Sequence, residues 1–272
     1  MNRFPKRWAA RCPTTFFITA HNNIMKKRVI TLLCIVFWLI IWQLGAMALN
    51  QKILLVTPAA VIQKIFTLAA ELDFWKSIMF SAGRILAGFA LGLFTGVGLA
   101  ATAGKLSFVR RLLAPIISVL KAIPVASFTI LALIWVSSKN LSVLVTFLIC
   151  VPIVYLNMLE GIDSLDPKLK EMAKVFEIPA WRRFVGIYLS QLLPYFRSAA
   201  GLAIGLCWKS GAAAEVIGIP DGSIGEKLYQ AKVYLETADL FAWTVVIILI
   251  SYMCEKIFMT IVGMLVKRVE RM

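Results

Sequence analysis

Apolar positions along this chain fall into six long runs, at residues 29–49, 78–104, 112–136, 141–156, 195–218 and 240–262. Roughly 20 apolar residues in helical form match the hydrocarbon thickness of a bilayer. The pattern therefore predicts an all-α membrane protein with six transmembrane helices. Short polar breaks such as Ser137-Ser138-Lys139-Asn140 turn the chain from one run to the next.

The segments between the runs carry their own periodicities. Residues 50–76 open on Asn50-Gln51 and then show Thr57-Pro58 followed by apolar positions Val61, Ile65, Leu68 and Leu72 at helical spacing. That predicts a short amphipathic helix lying in the membrane interface. In the second run Gly88, Gly92, Gly96, Ala100 and Gly104 recur every fourth residue, a stripe that lets another helix backbone approach closely. Pro115 and Pro124 are both expected to break the third run. The longest polar stretch, residues 157–194, contains a helix start at Asp166-Pro167, a polar helix through Phe176, a bend at Ile178-Pro179 and an amphipathic segment ending at Leu193-Pro194. Residues 219–239 read as a loop rich in glycine and charge.

Composition agrees with the runs and sharpens them. The 272 residues are 60% apolar and only 16% charged, more apolar surface than one soluble core hides, and the same figures exclude disorder. A formal charge of +15 would suggest nucleic acid, but the basic residues are not gathered on a soluble face; they alternate with the runs. With the N-terminus inside, the inner segments hold 18 Lys and Arg and the outer ones six, which puts both termini in the cytoplasm. Five scattered cysteines without C-x-x-C spacing and one histidine, His21, give no disulfide framework, metal site or histidine-based triad.

By this reading residues 1–28 form a basic cytoplasmic segment, 29–56 the first span and outer loop, 57–268 a core with five further spans, and 269–272 a cytoplasmic tail. Met25 begins the sequence MKKRVITLLCIVFWLIIW, a short basic run followed by a long apolar one, so residues 1–24 are expected to be an extension ahead of the true start. No small-x-small cleavage site precedes a polar domain, so the first run is expected to be an anchor and not a cleaved signal.

Candidate chemistry is sparse. Lys209-Ser210 lacks the preceding glycines of a phosphate loop, since Trp208 and Ala203 occupy their places, and no pair of carboxylates suggests hydrolysis. Ionisable residues at membrane depth are informative because each costs a few kcal/mol unless it faces protein or water. Arg84, Lys121, Lys209 and Glu215 are such residues. They are expected on the translocation pathway or a subunit interface, with snorkelling to the membrane edge the alternative for Arg84 and Lys121. In the 157–194 stretch Met172, Val175, Phe176 and Trp181 supply apolar side chains that solvent does not favour, which suggests docking.

These residues resemble a known family. The stretch is similar to the EAA signature of permease subunits of bacterial ABC importers, with Glu171, Met172 and Ala173 at the EAA positions and Ile187 and Leu189 at the later apolar ones. Glu177 stands where the family has Gly and Ser190 where it has a Pro, so Ile178-Pro179 is expected to supply the bend. Ser81-Ala-Gly-Arg84 with Gly88-Phe89, Lys121-Ala-Ile-Pro124 with Ile134-Trp135, and Ala213-Ala214-Glu215 with residues 222–225 resemble further stretches of the nitrate/sulfonate/taurine branch.

The resemblance implies a type I ABC importer permease in the inner membrane. It implies no cofactor, no enzymatic activity of its own and no nucleic acid. As partners it implies two ATPase subunits, an extracytoplasmic solute-binding protein and a second permease subunit, expected to be an identical copy. It also implies that the hairpin between spans four and five is the coupling helix, with Glu171, Met172, Ala173, Phe176, Glu177 and Trp181 facing the ATPase. A small anion such as nitrate, a sulfonate or taurine is the expected solute. A proton- or sodium-coupled carrier is the alternative; it would need inverted repeats, which the sequence lacks.

Overall fold

The computed structural model describes residues 14–49 and 54–269, and every regular element among them is helical. The stretches at residues 1–13, 50–53 and 270–272 lie outside the described residues, and with them the first part of the basic N-terminal segment, the Asn50-Gln51 opening and the end of the tail.

The chain divides into a unit ending at Ala60 and a unit beginning at Val61. The first holds α1 (Thr14–Leu49), which is helical well before the expected span and carries its apolar stretch at Val29–Leu49. That stretch is 21 residues long, enough by length and composition to cross a membrane.

At the junction of the units, α2 (Pro58–Ala69) starts as the sequence suggests. Thr57 Oγ1 accepts from the Ala60 amide at 3.4 Å, and Pro58 takes the first helical position, where a missing N–H costs nothing. The helix stops earlier than its periodicity implies. Leu72, expected on its apolar face, instead opens α3 (Leu72–Lys105) and is exposed.

The second unit is built on α3, α6 (Ser138–Asp163) and α9 (Ser190–Gly218), which pack against one another most closely. The glycine stripe of α3 is the reason. A methyl group at Gly88 would lie 1.8 Å from Thr146 Oγ1, at Gly92 2.4 Å from Cys150 Cβ, and at Gly96 2.8 Å from Val154 Cβ. The α6 side chains occupy the space that β-carbons on α3 would need, which brings the two backbones together. Ile85, Phe89, Val154, Ile204, Cys207 and Trp208 fill the core behind this contact.

The third apolar run is two helices, α4 (Ser107–Ala122) and α5 (Val125–Ala132), bent by 100°. Five helices are thus long and apolar enough to span, or six if the bent pair counts as one. Only one of the two expected proline breaks occurs. At Pro124 the preceding Ile123 is extended (φ −65°, ψ 123°), the conformation that proline imposes on its predecessor, and α4 ends there. Pro115 lies inside α4 at an exposed position and does not end the helix.

Three further boundaries differ from expectation. Pro194 was expected to end an amphipathic segment, but a π-helical stretch, Phe184–Leu189, joins α8 (Ala180–Arg183) to α9, so the helix continues through Pro194. A wider turn just before the proline relaxes the crowding that would otherwise end the helix there. Residues 219–239, read as a loop, contain α10 (Ile224–Val233), whose N-cap Ser223 accepts from the Glu226 amide at 2.9 Å. Span four also extends to Asp163, beyond the expected residue 156, and the last helix is α11 (Thr237–Val269).

Candidate functional site

Two regions gather the residues singled out above. The first is the connection between α6 and α9. Asp166 caps α7 (Pro167–Val175) by accepting from the Lys168 amide at 2.8 Å, as the Asp-Pro start predicts. The far end of α7 closes with the Ile178 amide donating to Ala173 O at 3.1 Å and with Glu177 at φ 47°. This six-to-one bond around a left-handed residue is a Schellman cap, a position that favours glycine. The bend expected at Ile178-Pro179 therefore falls on Glu177, where the family has its glycine, and an L side chain is held in a conformation that costs about 1 kcal/mol.

α7 has two unlike faces. Ala173 is buried, so its small side chain seats the helix against its own chain. Glu171 and Glu177 are exposed, and so are Met172 (42%), Val175 (77%), Phe176 (72%) and Trp181 (74%). Four large apolar side chains exposed within ten positions of one another form a patch that water disfavours.

The second region is the C-terminal end of α9. Glu215 is 1% exposed and accepts from Ser81 Oγ at 2.6 Å and from the Gly225 amide at 3.4 Å. Ser81 Oγ in turn accepts from the Ile224 amide at 2.9 Å, so one carboxylate and one hydroxyl tie α9, α3 and the start of α10 together. Gly225 permits this approach: a methyl group there would stand 2.3 Å from the backbone carbonyl carbon of Glu215. The chain leaves α9 through Ile219 at φ 45°, whose amide donates to Glu215 O at 2.8 Å. For a β-branched residue this is a strained conformation, held by the surrounding bonds. The Ser81 partnership has no periodic signal. The α10 start does: Ser223-Ile-Gly-Glu226 fits the S-x-x-E spacing of a helix N-terminus.

Next to this knot lies a polar cavity of about 370 Å³ between α2, α3, α10 and α11. Two ion pairs border it, Lys64–Asp239 at 2.9 Å and Lys227–Asp73 at 2.6 Å, tying α2 to α11 and α10 to α3. The hydrogen bond from Lys64 to the Asp239 carboxylate holds the lysine ammonium above its ordinary value.

The four intramembrane residues are not brought to one place. Arg84 donates through Nε to Lys139 O, and its guanidinium lies 3.7 Å from the Phe80 ring centroid. Lys121 is exposed in the last turn of α4, where the helix dipole favours a cation. Lys209 is exposed on α9 and has no hydrogen bond or ion pair among the described residues. It shares its face with the exposed residues Leu202, Leu206 and Ala213, whereas Glu215 is enclosed by the chain itself. No group of three or more His, Cys, Asp or Glu that could hold a metal occurs among the described residues.

Comparison with known proteins places these features in a family. The chain is 25% identical over 217 residues to SsuC of Bacillus subtilis (strain 168), named as an aliphatic sulfonates transport permease, covering 79% of this chain and 78% of that protein. It is 24% identical to the taurine transport system permease protein TauC of Escherichia coli (strain K12), covering 79% and 80% of the two chains. It is 26% identical to the nitrate import permease protein NrtB of Synechococcus elongatus, covering 57% and 55%. The fold resembles that of an amino acid ABC transporter solved with histidines, with a TM-score of 0.54, 16% identity, and 76% of this chain and 96% of that chain covered. Residues 88–271 match one family description over most of the chain, and this protein belongs to the family of binding-protein-dependent transport system inner membrane components.

Proposed function

We propose that the chain is the membrane subunit of an ATP-driven importer and forms, with a second identical copy, the pathway for a small anion such as nitrate, a sulfonate or taurine. An extracytoplasmic binding protein delivers the solute, two separate ATPase subunits hydrolyse ATP, and both termini lie in the cytoplasm of an inner-membrane, multi-pass protein. The observation that carries this reading is the exposed apolar patch of Met172, Val175, Phe176 and Trp181, on a connection that also carries Lys168, Lys174 and Arg182. Such a patch fits a groove on a cytoplasmic partner. Glu171 and Glu177 frame it with charge, and Ala173 fixes its seat.

In this reading ATP binding moves the hairpin, and the spans rock between inward-open and outward-open states. Nucleotide and loaded binding protein shift that equilibrium through their different affinities for the two states. Lys209 faces the pathway or the subunit interface, because an unpaired ammonium on an otherwise apolar face of a span is costly against lipid. Arg84 and Lys121 are further cations on the same route or interface. Glu215 acts on it from behind, by fixing the outer end of the helix that carries Lys209.

Co-purification tests the assignment. Reversing charge with Glu171→Lys together with Phe176→Asp is expected to release the ATPase while leaving the helical content intact. Undiminished capture of the ATPase by this variant would remove the hairpin from coupling. Lys209→Gln is expected to lower anion uptake while leaving capture of the ATPase unchanged; unaltered uptake would take Lys209 off the route.

A further inference from the structure

We propose that the slot between α9 and α11 at the end of the bundle nearer α8 binds the phosphate headgroup of an anionic phospholipid. The slot encloses about 460 Å³. Ser190, Arg197 and Ser198 supply its polar side, and Leu193, Met259 and Val266 its apolar walls. This is the division a lipid requires, with a charged head at one end and acyl chain beyond it.

Depth agrees with lining. An α-helix crosses the hydrocarbon core in about 20 residues, and counting that many back from Gly218, the outer end of α9, reaches the neighbourhood of Arg197. The guanidinium thus stands at headgroup level. Ser190, Leu193, Arg197 and Ser198 recur at helical spacing and share one face of α9.

Arg197 is exposed, and no hydrogen bond or ion pair joins it to the described residues. On the two helices that line the slot the sequence offers it no carboxylate nearby: none occurs between Glu177 and Glu215, and none between Glu255 and Glu270. An arginine at the edge of hydrocarbon without a partner is costly, and its planar fork matches two phosphate oxygens. The chain continues beyond Val266 with Lys267-Arg268, which adds basic positions at the same end of α11. Net negative headgroups are therefore favoured over zwitterionic ones. Only the choice of leaflet rests on the orientation proposed above; the slot and its ligand do not.

The test uses the full chain in nanodiscs and in detergent, with phosphatidylglycerol, phosphatidylcholine and inorganic phosphate as separate probes. Native mass spectrometry is expected to show phosphatidylglycerol retained through washing, and thermal melting is expected to rise with it and not with phosphatidylcholine. Arg197→Gln is expected to weaken phosphatidylglycerol binding about fivefold, the factor for one interfacial charge, with Arg197→Lys intermediate. Ser198→Leu, which narrows the slot without touching the charge, is expected to weaken it as well. Equal retention of the two lipids overturns the proposal, as does wild-type binding by Arg197→Gln. So does equal stabilisation by inorganic phosphate, or an Arg197 protected only when the ATPase is bound. None of these readouts depends on ATPase coupling, so a failure here leaves the transport reading to its own test.

Discussion

Gly88 and Gly98 lie on the same helix, yet a methyl group added to each meets different surroundings. At Gly88 it would collide with Thr146 Oγ1 and Val143 O; at Gly98 nothing lies within 4 Å. Gly88→Ala is therefore expected to lower the thermal midpoint of the purified protein, at a cost of about 1–3 kcal/mol. Gly98→Ala is expected to leave it unchanged or raise it, since alanine favours helix by up to about 1 kcal/mol. Equal behaviour of the two would contradict the close α3–α6 approach. Glu177 makes the opposite case, an L residue where glycine fits. Glu177→Gly is expected to increase hydrogen-exchange protection of the α7 amides by about 1 kcal/mol, by relieving the left-handed conformation. Reduced protection would mean that the glutamate side chain contributes more than its backbone costs.

Among the elements, α10 depends most on side chains from elsewhere. Its first amides are met by Ser81 and Glu215, and Lys227 reaches Asp73. Glu215→Ala is expected to expose α10 amides to exchange while α6 stays protected, because loss of a buried hydrogen-bonded partner costs about 1–3 kcal/mol. Uniform loss across both helices would point to collapse of the core instead. The Lys64–Asp239 tie behaves differently with pH. A raised lysine value means that its contribution is complete at neutral pH and fades only above the ordinary lysine range. Cross-linking between α2 and α11 should therefore be unchanged from neutral to mildly alkaline pH.

Element boundaries show what periodicity carries and what it omits. The six apolar runs, the Asp166-Pro167 helix start, the amphipathic helix after Thr57-Pro58 and the glycine stripe were legible because each is a local signal with a fixed spacing. The continuation of α9 through Pro194 was not, because it depends on a π-helical turn that no spacing announces. The same holds for Leu72, whose apolar side chain fits the α2 periodicity but falls after the turn that ends that helix. Glu215 stood out as an ionisable residue at membrane depth, but its partner Ser81, 134 residues away, emerges only when α3 and α9 are packed together.

At the scale of the whole molecule, the chain contains a packed core of α3, α6 and α9, a bent α4–α5 pair and helices that present apolar sides outward. Only 11% of the α11 stretch is buried, against 56% for α6. Such unevenness fits a subunit whose outer helices meet lipid or a second copy, and whose exposed hairpin meets something else. Family membership names the setting, and the exposed hairpin is the part proposed to meet the ATPase. The most direct measurement is ATPase activity of the reconstituted complex in liposomes, with and without loaded binding protein, for the wild type and for Glu171→Lys with Phe176→Asp. The account predicts that activity rises with binding protein in the wild type and that the variant loses both the rise and the bound ATPase. A variant that still couples, or solute uptake by the chain without any ATPase, would contradict it.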